Sequence, residues 1–399
     1  MNKQIHLEAL RGLASAIVVV AHYAAAFYPS SIFGSKCQSH EQWEKVFATT
    51  PLGLVFAGHF AVCLFFILSG YVLSLPYFGQ VSRDTNHLLA AFFKRPFRLG
   101  GLVLVSILIS ILLSYFSCYF NISVSKESYS IPWFQDLWAG NSVNAKQILV
   151  DLTTRIFANG SKYNPSLWTL QLELDGSLLT FIFLILFRKS NLRILVYIYS
   201  IIYFHNSLYH GFIFGIILAD FIQNYSNALK IISRGVIPWI LLIFGLLFSS
   251  YPNYVDKSDL TNTFYGILPH LRGLGGGYSM FGAVIVFTAV LINPRLQKML
   301  SGKGFLFLGR ISYAMYVIHF LLLGSFSSWL FINLHSRFNY NLSFAIAATL
   351  SFGILIFASY VLTKYIDEPV TRFANSLAKK YMRSIREKIS LTTVEINIK

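Results

Sequence analysis

Residues 7–23 read LEALRGLASAIVVVAHY. Between Gly12 and Ala21 there is no ionisable side chain, and Arg11 and His22 bracket that run. The apolar residues follow one another without the alternation of a half-buried strand. Extended to residues 10–28, the stretch reaches the length at which an apolar run reads as a transmembrane helix. Comparable runs occupy 52–78, 99–120, 167–187, 192–206, 208–224, 234–251, 272–292, 306–332 and 342–366. The fifth and sixth are short and nearly continuous, so they span only a thin bilayer or one where their ends are buried in protein.

The whole chain agrees with that reading. Its 399 residues are 55% hydrophobic, 17% aromatic and only 12% charged. Soluble domains carry roughly 25% charged residues, about twice as many. This apolar content excludes disorder, and Gly 26 and Cys 3 exclude a collagen-like or disulfide-stapled chain. The expected fold is all-α: a polytopic transmembrane helical bundle of about ten spans with both termini cytoplasmic. It divides into a transmembrane domain over 1–372 and a basic cytoplasmic tail over 373–399.

The net charge of +16 does not signal nucleic acid. Nucleic-acid footprints gather basic residues on one water-facing surface, whereas here they lie between apolar runs. With the N-terminus inside, the larger share of the 32 Lys and Arg falls in cytoplasmic segments, as the positive-inside pattern requires. A cleavable leader over residues 1–26 is the competing parse, and His22 interrupts its apolar run just before the cleavage position. No internal repeat is evident. Ile148, Leu149, Leu152 and Ile156 share a helical face and are expected to lie on the membrane surface. Cys37 and Cys118 both map to the outer side, and their pairing stays open.

Ionisable groups inside a span are costly and mark candidate sites. Arg11 and His22 are eleven residues apart; eleven steps of about 100° bring them to one face, about 16 Å apart along the axis. Glu173, in LWTLQLE (167–173), lies roughly 9 Å inside the fourth span, a depth similar to that of His22. A carboxylate and an imidazole at matched depth suit a base and its orienting partner, or equally a structural pair between helices. Lys94, Arg95 and Arg98 open the third span, where guanidinium groups suit phosphates and also serve orientation. His319 lies about nine residues into its span. Gly273, Gly275, Gly276 and Gly277 lack the rest of a phosphate loop and read as close helix packing. His205 and His210 point to different sides of a helix, so no metal site is expected.

Taken together, these segments resemble the acyltransferase-3 family of integral membrane acyltransferases nearly end to end. LEALRGLASAIVVVAHY resembles its first span, with Arg11 and His22. GHFAVCLFFILSGYVLS (58–74) resembles the second, including Phe65–Gly70, and RPFR (95–98) matches paired arginines. LWTLQLE is similar to the WSLxxE signature, and LGRISYAMYVIH (308–319) to a late LGxxSYxxYxxH motif. Asp367-Glu368-Pro369 also has the family's look. Two departures stand out. Cys63 replaces an acidic residue found in many members, and His319 is followed by Phe320-Leu321 without the proline often found there.

The resemblance implies transfer of an acyl group, acetyl in the usual case, from cytoplasmic acetyl-CoA to a sugar hydroxyl. The acceptor would be an extracytoplasmic or lipid-linked glycan such as O-antigen, capsule or exopolysaccharide, modified at a bacterial cytoplasmic membrane. His22 and Glu173 would be catalytic, with His22 as base or acyl carrier and Glu173 orienting it or stabilising its charge. Arg11, Arg95 and Arg98 would hold the CoA phosphates, and Trp168, Ser69 and His319 would bind substrate. Acyl-CoA, glycan and membrane lipid are the expected partners, with no metal and no permanently bound cofactor. The rival class is a transporter or flippase, since buried Arg, His and Glu also line substrate paths.

Overall fold

The structure, a computed structural model, describes residues 4–79, 84–131, 133–138, 145–225, 233, 235–269 and 276–380. Among these the chain is helical, with no strand. The principal helices are α1 (Ile5–Phe27), α2 (Gly58–Ser74), α3 (Thr85–Tyr115), α4 (Trp168–Phe187), α5 (Arg193–Tyr203), α6 (His210–Asn224), α7 (Ile237–Ser249), α8 (Gly277–Ile292), α9 (Pro294–Leu300), α10 (Lys303–Leu322) and α11 (Tyr340–Leu362). Among the described residues six segments are long and apolar enough to cross a membrane, and a seventh is reached if α8 and α9, bent by 95°, form one span. The remaining expected spans fall on α5, α6 and α7, of 11, 15 and 13 residues. Helices that short do not cross a hydrocarbon core of about 30 Å unaided.

The centre of the fold is the pair α1 and α10, which run side by side in the same direction. A Cβ built on Gly12 would lie 2.5 Å from the Gly309 backbone nitrogen, so glycine is what permits the approach. The register is constant: Gly12 faces Gly309, Ser15 Oγ donates to the Ser312 carbonyl at 3.0 Å, and His22 meets His319 at 2.9 Å. Gly70 and Gly215 let α2 and α6 approach in the same way.

Two local distortions flank the core. α10 continues through a π-turn at Leu323–Ser327 into Ser328–His335, and α11 continues through a second π-turn at Thr363–Asp367 into a helical stretch over 368–380. Such turns insert a residue into a helix and are frequent at functional sites. The segment that follows α3 is clamped over the first of them. The Phe120 amide donates to the Gly324 carbonyl at 2.8 Å, and the Asn121 amide group donates to the carbonyls of Phe134, Gln135 and Leu137.

Other expectations are modified. α3 begins at Thr85 rather than near residue 99, capped by the Asp84 side chain on the His87 amide, so Lys94, Arg95 and Arg98 lie within the helix. Of the outer helical face, Leu152 and Ile156 pack on the core, while Leu149 is exposed. Cys37, Cys63 and Cys118 are all free. Gly276 and Gly277 have positive φ where α8 starts, and a Cβ on Gly276 would meet Cys63 Sγ at 2.9 Å. Gly273, Gly275 and the tail beyond residue 380 lie outside the described residues.

Candidate active site

A cavity of about 600 Å³ opens among α1, α2, α3, α4, α10 and the end of α11. That volume is in the range of small-molecule sites. Its wall carries Arg11, Arg95, Arg98, Arg310 and Arg372 together with Glu8, Glu173, Asp367 and Glu368. These arginines are not equivalent. Arg95 is only 8% exposed; it pairs with Glu173 and its Nε donates to Ser177 Oγ at 3.0 Å. Arg310 is engaged by Glu368 through Nε at 2.9 Å and a second nitrogen at 2.6 Å. Arg11, Arg98 and Arg372 make no hydrogen bond or ion pair with the described residues. Their charge is available to an anion, and guanidinium forks suit phosphate oxygens.

Glu173 stands at the inner wall of this cavity. Its Oε1 accepts from Ser69 Oγ at 2.7 Å and from Arg95. The sequence expectation that Glu173 orients His22 is therefore replaced: Glu173 is committed to the α2–α3–α4 junction, and the partner of His22 is His319. Sequence depth matched Glu173 to His22, but depth says nothing of which way each helix turns its face.

His22 Nδ1 lies 2.9 Å from His319 Nε2, and His319 Nδ1 lies 2.6 Å from the Tyr316 carbonyl. His319 is 0% exposed, and His22 is part-buried. Around them sit Phe320, with its ring 4.4 Å from that of His22, and Trp133, 6.0 Å away and inclined by 10°. The deep end of the cavity reaches Tyr316, whose hydroxyl shares a 2.6 Å hydrogen bond with Thr169. The Tyr316 ring is also 5.7 Å from that of His319, so one side chain joins the cavity to the imidazole pair.

Of the residues singled out in the sequence, Arg11, Arg95, Arg98, Ser69 and Glu173 line the cavity together, and His22 and His319 form one pair beyond it. Trp168 is not among them; it is 45% exposed and absent from the cavity wall. Sequence reasoning missed Arg372, Arg310 as a cavity residue, and Trp133. Arg310 stands inside the LGRISY motif and Arg372 follows Asp367-Glu368-Pro369, so both were within reach. Trp133 had no signal, because a loop aromatic shows its target only once the loop is folded.

These features define a helical membrane protein with a cationic cavity leading toward paired imidazoles. A family model described as an acyltransferase domain matches residues 5–364, and the chain belongs to that family, acyltransferase-3. It is an acyltransferase that moves groups other than aminoacyl groups. Acyltransferase clz18 of Cochliobolus lunatus is 26% identical over 93% of this chain and 95% of its own length. Acyltransferase R4 of Phoma sp. (strain ATCC 20986 / MF5453) is 22% identical over the same shares. Both relatives are fungal, and their names specify no acceptor. No solved structure matches.

Proposed function

We propose that this protein transfers an acyl group, acetyl first among the candidates, from acyl-CoA to a hydroxyl acceptor, with His22 as general base. The observation that carries the reading is the continuity of one path. Arginines free to bind phosphate line the cavity, and its far end reaches Tyr316 beside the His22–His319 pair. The CoA phosphates would rest on Arg11 and Arg98, with Arg372 as a third cation. The pantetheine arm would run along α1 and α10 to bring the thioester toward His22.

The chemistry then needs one base. His22 takes the proton of the acceptor hydroxyl as its oxygen attacks the thioester carbonyl. The C–O bond forms, the C–S bond breaks, and the CoA thiolate leaves with the proton returned by His22. Transfer through an acyl-imidazole on His22 uses the same groups in two steps. Glu173, held by Arg95 and Ser69, keeps the helices around the cavity in place.

For the acceptor, a sugar hydroxyl of an outer or lipid-linked glycan is the proposed class, as in bacterial polysaccharide O-acetyltransferases. The half-buried indole of Trp133 beside His22 supports it, since an aromatic face packs on the C–H face of a sugar ring. The proposed setting is a cytoplasmic membrane with the arginine end of the cavity toward the acyl-CoA pool. The test incubates membranes bearing the protein with acetyl-labelled CoA and, separately, glycan and small-molecule extracts. Label in a glycan ester supports the full reading, and label only in small molecules replaces the acceptor class. No transfer to either, with solute movement instead, overturns the enzyme in favour of a transporter.

A further inference from the structure

We infer that His319 is a positioning residue that fixes the tautomer of His22, so that a backbone carbonyl decides which nitrogen acts as base. The inference rests on His22 being the base of the proposed reaction. It begins at the Tyr316 carbonyl, which has only lone pairs. His319 Nδ1, 2.6 Å away, must therefore carry a hydrogen and donate it. A neutral imidazole protonated at Nδ1 has its lone pair at Nε2. That lone pair faces His22 Nδ1 at 2.9 Å, and two lone pairs cannot bond, so His22 Nδ1 carries a hydrogen as well. The His22 Nε2 is left bare, and it is the only nitrogen of the pair free to accept a proton from a hydroxyl.

Among the described residues no carboxylate contacts either imidazole; their ring neighbours are Trp133, Phe320 and Tyr316. When Nε2 takes the acceptor's proton, the His22 Nδ1–H bond to His319 persists and spreads the new charge over a second imidazole. A carboxylate does this work in a Ser-His-Asp triad. Here a neutral acceptor does it, which avoids burying an anion in the bundle. The constant register of α1 and α10 holds the two rings in place, three turns above the Gly12–Gly309 contact.

The test uses the full-length protein in nanodiscs with nitrogen-15-labelled histidine, the His22 resonances being identified by their loss in His22→Ala. The wild type should show His22 protonated at Nδ1. His319→Phe should redistribute that proton toward Nε2. His319→Gln keeps an acceptor oxygen near the lost Nε2, so it should restore the Nδ1–H form. In parallel, transfer of label from acetyl-CoA into extracted acceptors should fall about 100-fold in kcat for His319→Phe, with KM for acetyl-CoA unchanged and most of the rate recovered in His319→Gln. A His22 tautomer indifferent to His319→Phe, or an unchanged rate in that variant while His22→Ala is dead, overturns the inference. Activity surviving in His22→Ala instead overturns the base assignment, and the resonances then still decide the tautomer independently.

Discussion

Gly12→Ala is the sharpest test of how the bundle positions its chemistry. The new Cβ would sit 2.5 Å from the Gly309 nitrogen, where ordinary contact begins at 3.4 Å. The nearest obstacles are backbone atoms, which cannot swing aside, so α1 must move off α10 by about 0.9 Å, the deficit between those two distances. If α1 moves as a rod, the His22–His319 separation grows from 2.9 Å to about 3.8 Å, beyond hydrogen-bond range. Overpacking of this kind costs about 1–3 kcal/mol of stability. The assay is acetyl transfer from labelled acetyl-CoA alongside thermal melting in nanodiscs, with Gly353→Ala as control, because nothing lies within 4 Å of a Cβ at Gly353. Gly12→Ala should melt lower and lose most of its turnover, whereas Gly353→Ala should match or slightly exceed the wild type in stability. Wild-type turnover in a folded Gly12→Ala protein would refute the claim that the α1–α10 contact sets the imidazole pair.

Further outcomes follow from other parts of the site. Glu173→Gln should destabilise the bundle by about 3–5 kcal/mol by leaving Arg95 buried and unpaired, and Glu173→Leu with Arg95→Met should cost less than either charge-stranding single variant; additive melting shifts would contradict the buried pair. Arg98→Ala and Arg11→Ala should raise KM for acetyl-CoA several-fold, more so at low salt, with melting unchanged; salt-independent KM would remove them from phosphate binding. Trp168→Ala should leave transfer within about twofold, because the side chain is exposed and outside the cavity; a large loss would return it to the substrate path. At Asp151, burial raises the carboxyl pKa, but donors on Asn159, Tyr163 and Gln147 outweigh it and hold it below the ordinary carboxylate value. Its contribution is full above the unfolded pKa of about 4 and lost as pH falls through the lower folded value, so protease resistance of residues 145–163 should drop only under acid, and Asp151→Asn should abolish that dependence.

How much of this was legible in the chain differs by element. The apolar runs announced the helical membrane class because length and lack of charge suffice for it. The stripe from Arg11 to His22 was legible because both residues ride one helix, where period alone sets the face. The partner of His22 was not. Glu173 and His319 were both at plausible depths, and only packing decides which helix turns its face inward. Arg95 and Arg98 looked alike in RPFR and both line the cavity, yet Arg95 is tied to Glu173 whereas Arg98 has no hydrogen-bond partner among the described residues. The runs at α5 and α7 read as crossings because hydropathy reports apolar side chains and not helix length: Leu195 and Ile243 are exposed on the protein surface, yet the two helices are only 11 and 13 residues long.

The central claim is that His22 performs the proton transfer at the end of a CoA-binding cavity. A single-turnover experiment with acetyl-labelled CoA, comparing wild type and His22→Ala at matched folding and matched CoA binding, tests it most directly. The account predicts that the variant binds CoA as the wild type does and transfers label at least 100-fold more slowly. Equal transfer by the two proteins would contradict it and move the chemistry to another group.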